Sequence, residues 1–384
     1  MRKLNRPVWL CTVLFFSLWT FGQSKPRARD LGVPFDGEPG PLNAITDVKG
    51  VEVGHTTLIS GDGTLKVGTG PVRTGVTAIL PRGKDSRDAV FAGWFSLNGN
   101  GEMTGTHWVE DSGFLDGPVM ITNTHSVGVV RDAVIQWKVK RGEADMEGYW
   151  WSLPVVAETW DGYLNDINGF HVRPEDAIHA LDAAKGGAVA EGSVGGGTGM
   201  ICNEFKGGIG TSSRVLSAKD GGYTVGVLVQ CNYGEREQLR IAGISVGREI
   251  SVPKIWEHDT GSIIVVVATD APLIPTQLKR MARRVALGVG RDGSYSGDGS
   301  GDLFIAFSTA NRRAIAPKGV HQITMLPNGQ LSPLFLATVQ ATEEAVVNAM
   351  VAAETMTGIN RHMVPGLPHD QLRDVLKKYN RLSR

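Results

Sequence analysis

Five short runs of almost unbroken apolar residues limit what this chain can become. Residues 76–80, 119–122, 225–230, 263–268 and 303–308 are each followed within three residues by Pro, Asn or Asp. A strand with one wet face alternates polar and apolar residues. A short run without alternation reads as a strand covered on both faces. Helical patterns lie between the runs: 131–140, with Val134, Ile135 and Trp137; 174–185, opened by Pro174 and closed at Gly186; and an apolar stripe of Leu278, Met281, Ala282, Val285 and Val289. Thr342, followed by Glu343 and Glu344, predicts the N-cap of an Ala/Val-rich helix reaching Met356, and a last amphipathic segment spans 370–379. Buried strands, long helices and no repeat period predict a layered α/β fold. No linker interrupts the 384 residues, so one domain is preferred over two. The 50 glycines follow no collagen period and predict tight turns and close backbone approaches.

Charge and termini narrow the class. Lys and Arg number 39, as do Asp and Glu, so the basic excess of a nucleic-acid protein is missing. Apolar residues at 41% and charged ones at 20% exclude disorder and coiled coil. Arg2, Lys3 and Arg6 precede an apolar run over 8–21 and small residues around Thr20, Gly22 and Ser24. That is the layout of a signal peptide over 1–24, with an uncleaved membrane anchor as the alternative. The run is shorter than a comfortable membrane span of about 20 residues, so no stable membrane insertion is expected after signal removal. The chain reads as exported, to the periplasm or beyond. Removal of the leader takes Cys11 with it and leaves Cys202 and Cys231, whose pairing turns on their Cα separation.

Several motifs fail on context. Gly288-Val-Gly-Arg-Asp-Gly293 spells GxGxxG but follows a helix, where a dinucleotide site needs strand, turn, helix. Gly195-Gly-Gly-Thr-Gly199 lacks the following Lys-Ser/Thr of a P-loop and reads as a tight turn near packed backbone. The nine histidines show no metal spacing, so no metal is expected; His125, within Thr122-Asn-Thr-His-Ser126, reads as a hydrogen-bonded structural residue more than a base. No serine after a strand sits in a GxSxG elbow.

One segment carries possible chemistry. Ser262 opens the run 263–268 directly after Gly261. A Gly-Ser pair before a strand usually makes only a turn. If the chain were cut between them, Ser262 would gain an α-amine whose ordinary pKa lies close to neutrality, and so a base beside its own hydroxyl. Ser300 and Asp302 are two apart, which in an extended strand places them on one face, suited to orienting an amine. Asn232 ends the run 225–230 extended by two and supplies a neutral donor for an oxyanion. A cap and a turn are the plain alternatives for these residues.

At these residues the chain resembles the DmpA/β-aminopeptidase family, most closely the L-aminopeptidase D-Ala-esterase/amidase branch. The likeness runs in collinear order through Arg27-Ala-Arg-Asp-Leu-Gly, Gly40-Pro-Leu-Asn-Ala-Ile-Thr-Asp-Val, Val51-Glu-Val-Gly-His, Ile121-Thr-Asn-Thr-His-Ser-Val-Gly, Val156-Ala-Glu-Thr, Val229-Gln-Cys-Asn-Tyr-Gly, Gly261-Ser-Ile-Ile-Val, Ser300-Gly-Asp and Phe307-Ser-Thr-Ala-Asn. The resemblance implies an αββα sandwich analogous to N-terminal-nucleophile hydrolases. It also implies self-cleavage at Gly261–Ser262 into an α chain (25–261) and a β chain (262–384), assembled as a tetramer of αβ units. The family's nucleophile falls on Ser262, its oxyanion donor on Asn232, its serine and acidic pair on Ser300 and Asp302, and its carboxylate for the substrate's amino group on Glu158. Trp160 stands where related chains can carry Tyr, and an indole offers an N–H in place of a hydroxyl.

The expected function is therefore a self-processing serine aminopeptidase/amidase acting on small peptides, amino-acid amides or esters without a metal or organic cofactor. Acceptance of β-amino or D-residues is left open. Aminoacyl transfer to an amine in place of water, and a non-catalytic exported binding protein on the same scaffold, are the alternatives.

Overall fold

The computed structural model describes residues 25–144, 147–255, 261–315 and 318–383; the signal peptide expected over 1–24 lies outside them. Two sheets form its centre. The first has four strands in the order β1 (Glu52–Ser60), β2 (Val72–Leu80), β5 (Val119–Asn123) and β6 (Val155–Thr159). The second has six, in the order β4 (Phe114–Leu115), β3 (Val90–Gly99), β12 (Gly301–Ser308), β11 (Ser262–Thr269), β10 (Thr224–Asn232) and β9 (Gly208–Val215). Two short pairs, β7 (Ile201–Cys202) with β8 (Phe205–Lys206) and β13 (Met356–Thr357) with β14 (Met363–Val364), sit beside them. Among the described residues six α-helices complete the fold: α1 (Thr106–Ser112), α2 (Val127–Lys140), α3 (Pro174–Asp182), α4 (Pro275–Arg291), α5 (Ser332–Val351) and α6 (His369–Lys378).

The apolar runs are apolar throughout because each face of a strand meets a different layer. In β11, Ile263, Val265 and Val267 pack into the core that holds Leu278, Met281 and Val285 of α4 and Ala341, Ala345 and Val346 of α5. Its alternate residues Ile264, Val266 and Ala268 pack between the sheets, against the core of Val53, Ile79, Ile121 and Ala157. The outer face of the four-stranded sheet, through Val76, Ala78, Met120 and Val156, takes Val130, Val134 and Trp137 of α2 and Ala177 and Leu181 of α3. Helices, sheet, sheet, helices: the layering is the αββα sandwich expected.

Parallel pairing occurs twice, at β5–β6 and β11–β12. Each pair needs a crossover, which α2 supplies for the first and α4 for the second. Glycine-rich segments close the layers: a Cβ on Gly196 would meet Gln230 Oε1 at 2.3 Å and one on Gly197 would meet Ile209 N at 2.5 Å, so 195–199 is packed backbone. Gly288 lies within α4, where its missing side chain admits Thr342 of α5.

The helix start at Thr342 is corrected. Helix α5 begins ten residues earlier, at Ser332-Pro333, and ends at Val351. Thr342 is buried in mid-helix and donates its hydroxyl to the Thr338 carbonyl at 2.8 Å. Glu344 neutralises no helix end; it joins a buried ion cluster with Arg29 and Arg214.

Candidate active site

The two sheets approach the site with opposite polarity. The parallel pair β5–β6 ends there, at Asn123 and Thr159, while β11–β12 begins there, at Ser262 and Gly301. An open pocket of about 330 Å³ lies between these strand ends, bordered by Ser262 and Gly299 from the six-stranded side and by Thr124, Glu158 and Trp160 from the other.

Ser262 is the first residue of β11 and faces Asn232, the last of β10, in direct register. A Cβ on Gly261 would stand 1.8 Å from the Asn232 carbonyl oxygen and 2.7 Å from Tyr233 Cα, so only glycine fits ahead of this serine. Ser262 Oγ accepts the Gly301 N–H at 3.0 Å. Gly301 too is constrained, because a Cβ there would lie 2.2 Å from the Asn100 carbonyl oxygen. On either side of that glycine, Ser300 donates its hydroxyl to Asp302 Oδ1 at 2.7 Å. The second oxygen of Asp302 accepts the Ser296 hydroxyl. A register shift in the β12–β3 ladder falls beside Asp302, where Asp302 opposes Asn98 and Leu303 opposes Ser96.

The Asn232 amide is oriented by its partners. Its Oδ1 must accept, since the group facing it is the Ile201 N–H at 2.8 Å. Its Nδ2 therefore points the other way, donating one hydrogen to the Trp160 carbonyl at 3.0 Å and keeping a second. Cys202 and Cys231, the neighbours of Ile201 and Asn232, are joined by a disulfide with Cα atoms 5.7 Å apart.

Glu158 is 4% exposed. Its Oε1 accepts the Glu102 N–H at 2.9 Å and its Oε2 the Thr124 hydroxyl. Burial pushes the carboxyl above the ordinary carboxylate range, against the pull of those two hydrogen bonds. Among the described residues no cation forms an ion pair with it. The neighbouring acid Asp161 is also raised by burial, to about 6, but its oxygens are occupied by Asn123 and Asn165 at 3.1 and 3.0 Å. Trp160 is 41% exposed at the pocket wall, its indole lying where a Cβ on Gly162 would be.

The structure thus brings Ser262, Asn232, Ser300, Asp302, Glu158 and Trp160 to one place. His125 is exposed, with its ring 6.0 Å from that of Phe170. In the Thr122–Ser126 cluster, Thr124 is the residue that reaches the pocket. Thr124, Ser296 and the Gly301 N–H escaped the sequence reading, although Ser296 opens the run Ser296-Gly-Asp-Gly-Ser-Gly-Asp302, whose repeated small residues mark a tightly folded loop.

Comparison with known proteins identifies the family and the fold. Residues 43–364 match the family model of Peptidase family S58. The chain belongs to peptidase family S58. This S58 chain is 57% identical over 374 residues to a beta-peptidyl aminopeptidase, BapA, of Sphingosinicella microcystinivorans, with 93% of each chain covered. The structure of L-aminopeptidase D-Ala-esterase/amidase from Ochrobactrum anthropi, described as a prototype of the serine aminopeptidases and a variant of the Ntn hydrolase fold, superposes with a TM-score of 0.88 at 49% identity. It covers 94% of this chain and 100% of that one. A Burkholderia sp. beta-aminopeptidase superposes with a TM-score of 0.85 at 48% identity, covering 92% and 99%. The S58 chain is a serine aminopeptidase with the Ntn-variant fold of these neighbours.

Proposed function

We propose that this serine aminopeptidase cuts itself between Gly261 and Ser262 and then removes N-terminal residues, β-amino residues among them, from small peptides, amides and esters. The observation that carries the reading is one pocket with Ser262 on one wall and a buried carboxylate without a cation, Glu158, on the other. The β-peptidyl aminopeptidase at 57% identity supports the extension to β-amino residues.

In the first step Ser262 Oγ attacks the Gly261 carbonyl carbon, the peptide C–N bond breaks, and the acyl group passes from nitrogen to oxygen. Water then hydrolyses the ester and leaves Ser262 with a free α-amine. In turnover that amine takes the Oγ proton as the oxygen attacks the carbonyl after the substrate's first residue. Asn232 Nδ2–H faces the developing oxyanion. The proton passes to the leaving amine, and water releases the acyl group. Ser300 and Asp302 orient the α-amine and hold its charge when protonated. Glu158 pairs with the substrate's ammonium, which sets the demand for a free amino terminus.

Export belongs to the same proposal, supported by the basic head and apolar run of 1–24 and by a disulfide suited to an oxidising compartment. So does assembly of the αβ unit into a tetramer, an inference from family membership. The purified active enzyme is expected as two pieces of about 25 and 13 kDa, scaled from 41.1 kDa for 384 residues, with the smaller beginning at Ser262 by N-terminal sequencing. Ser262→Ala stays uncut at that bond and inactive. An active enzyme with an intact Gly261–Ser262 bond ends the proposal.

A further inference from the structure

Lys206 is a charge placed where a fold alone would not need one. It lies on β8 with its side chain fully buried. Its Nζ donates to the carbonyl oxygens of Met200 at 2.7 Å, Gly207 at 2.9 Å and Gly197 at 3.5 Å. An ammonium has three donors, and here all three end on backbone oxygen. Among the described residues no carboxylate stands at hydrogen-bond distance from it; burying such a group is costly, and a methionine would fill similar volume without that cost.

The carbonyl nearest Lys206 has a particular neighbour. Met200 C=O and Ile201 N–H belong to the same peptide group, and that N–H donates to Asn232 Oδ1 at 2.8 Å. A continuous series therefore runs from the ammonium, through one peptide, to the side-chain amide of Asn232. A cation on an amide oxygen draws electron density from the amide nitrogen and makes its N–H a stronger donor. A stronger donor on the next amide oxygen does the same again. Both steps act in one direction, toward a more acidic Asn232 Nδ2–H. The paired Cys202 and Cys231, adjacent in sequence to Ile201 and Asn232, tie the two ends of this link together.

We propose that Lys206 is a positioning residue for the reaction, which orients and polarises Asn232 through the Met200–Ile201 peptide and so strengthens the hydrogen bond to the oxyanion. The inference rests on Asn232 being the oxyanion donor. Burial pushes the Lys206 amine down to about 7, the charge of Lys25 pushes the same way, and that of Asp161 opposes. The polarisation is accordingly present at low pH and is lost as pH rises through the lysine's titration. It adds an alkaline limb to kcat, while the α-amine of Ser262 supplies the acid limb.

The test compares kcat and KM on a chromogenic aminoacyl anilide, per self-cleaved molecule, from pH 5 to 9.5. Wild type is set beside Lys206→Met, Lys206→Gln, Asn232→Ala and the Lys206→Met/Asn232→Ala pair. Asn232→Ala is expected to lose roughly 10²- to 10³-fold in kcat. Lys206→Met is expected to lose roughly 5- to 10-fold in kcat with KM within about 2-fold, and to lose the alkaline limb. Lys206→Gln keeps donors without the charge and falls between. Adding Lys206→Met to Asn232→Ala costs nothing further, because the path runs through Asn232. Wild-type kcat in Lys206→Met, or an equal loss with and without Asn232, overturns the proposal. A wild-type profile lacking an alkaline limb does so even if neither Lys206 variant folds. If Asn232→Ala keeps full kcat, the oxyanion assignment itself has failed, a distinct outcome.

Discussion

Two buried glutamates in this molecule meet opposite surroundings. Glu344, in α5, accepts from Arg29 Nε and Nη2 at 2.7 and 2.8 Å, from Arg214 Nη2 at 2.8 Å and from Asn43. Burial raises its carboxyl, but these partners outweigh burial and hold it below its ordinary value. Glu158, in β6, accepts from a hydroxyl and a backbone N–H; among the described residues no cation forms an ion pair with it, the charge of His125 offsets burial only in part, and burial wins. A buried carboxylate supplied with its cations from the same chain is a clamp. One left without a cation beside an open pocket is a receptor for a cation from outside. Arg29 and Arg214 lie before residue 262 and Glu344 after it, so under the proposed cleavage the ion cluster would hold the two pieces together.

The largest effect is expected at Glu344. Glu344→Ala leaves Arg214, itself 1% exposed, buried without its carboxylate, and is expected to cost about 3–5 kcal/mol of stability. Urea unfolding monitored by circular dichroism measures this. The folded fraction should keep its kcat/KM. A large loss of kcat/KM in molecules shown to be folded would make Glu344 part of the site and end the distinction.

Glu158→Gln should behave in reverse. Removing a buried charge that lacks a cation leaves stability unchanged or slightly higher, while the substrate ammonium loses its partner. A charge-assisted hydrogen bond of about 1.5–3 kcal/mol predicts a roughly 10- to 150-fold fall in kcat/KM, mostly in KM. The pH dependence has a definite sign. Ammonium binding requires ionised Glu158 and its free-enzyme pKa is raised, so kcat/KM falls on acidification at a pH above the ordinary carboxylate range. Glu158→Gln should remove the part of that limb due to the carboxyl and leave a lower profile whose remaining acid limb is that of the Ser262 α-amine. An unchanged acid limb in the variant would assign it to another group.

The same contrast explains what the sequence could reveal. The central strands were legible because covering both faces forces apolar residues at every position, a signal carried wholly within each run. Glu344 was misread because Thr-Glu-Glu looks like a helix start locally, whereas its partners Arg29 and Arg214 are 315 and 130 residues away. Ser262 carried a weak signal of its own and a strong one only beside family motifs. Its need for Gly261 depends on the Asn232 carbonyl of a neighbouring strand. Lys206 reads as an ordinary lysine next to Gly-Gly, and nothing in its neighbours shows that three carbonyls converge on it. Chemistry built by strand register is visible in sequence only where both partners already attract notice, as Asn232 and Ser262 did.

The smallest effect separates a carboxylate that is merely buried from one that is tuned. Thr124 reaches Glu158 across the parallel pair β5–β6, and its hydroxyl bonds Oε2. That hydrogen bond lowers the carboxyl's pKa against burial, so Thr124→Val should raise it further and move the acid limb of kcat/KM toward neutrality. At a pH below the shifted limb, kcat/KM should fall by roughly 2- to 10-fold. Well above it, where Glu158 is ionised in both proteins, the two values should converge apart from the lost orientation. A uniform loss at every pH would mean that Thr124 only positions the carboxylate. The predicted convergence follows from competition between burial and hydrogen bonding, the balance that arginine decides at Glu344 and that the substrate's ammonium would decide at Glu158.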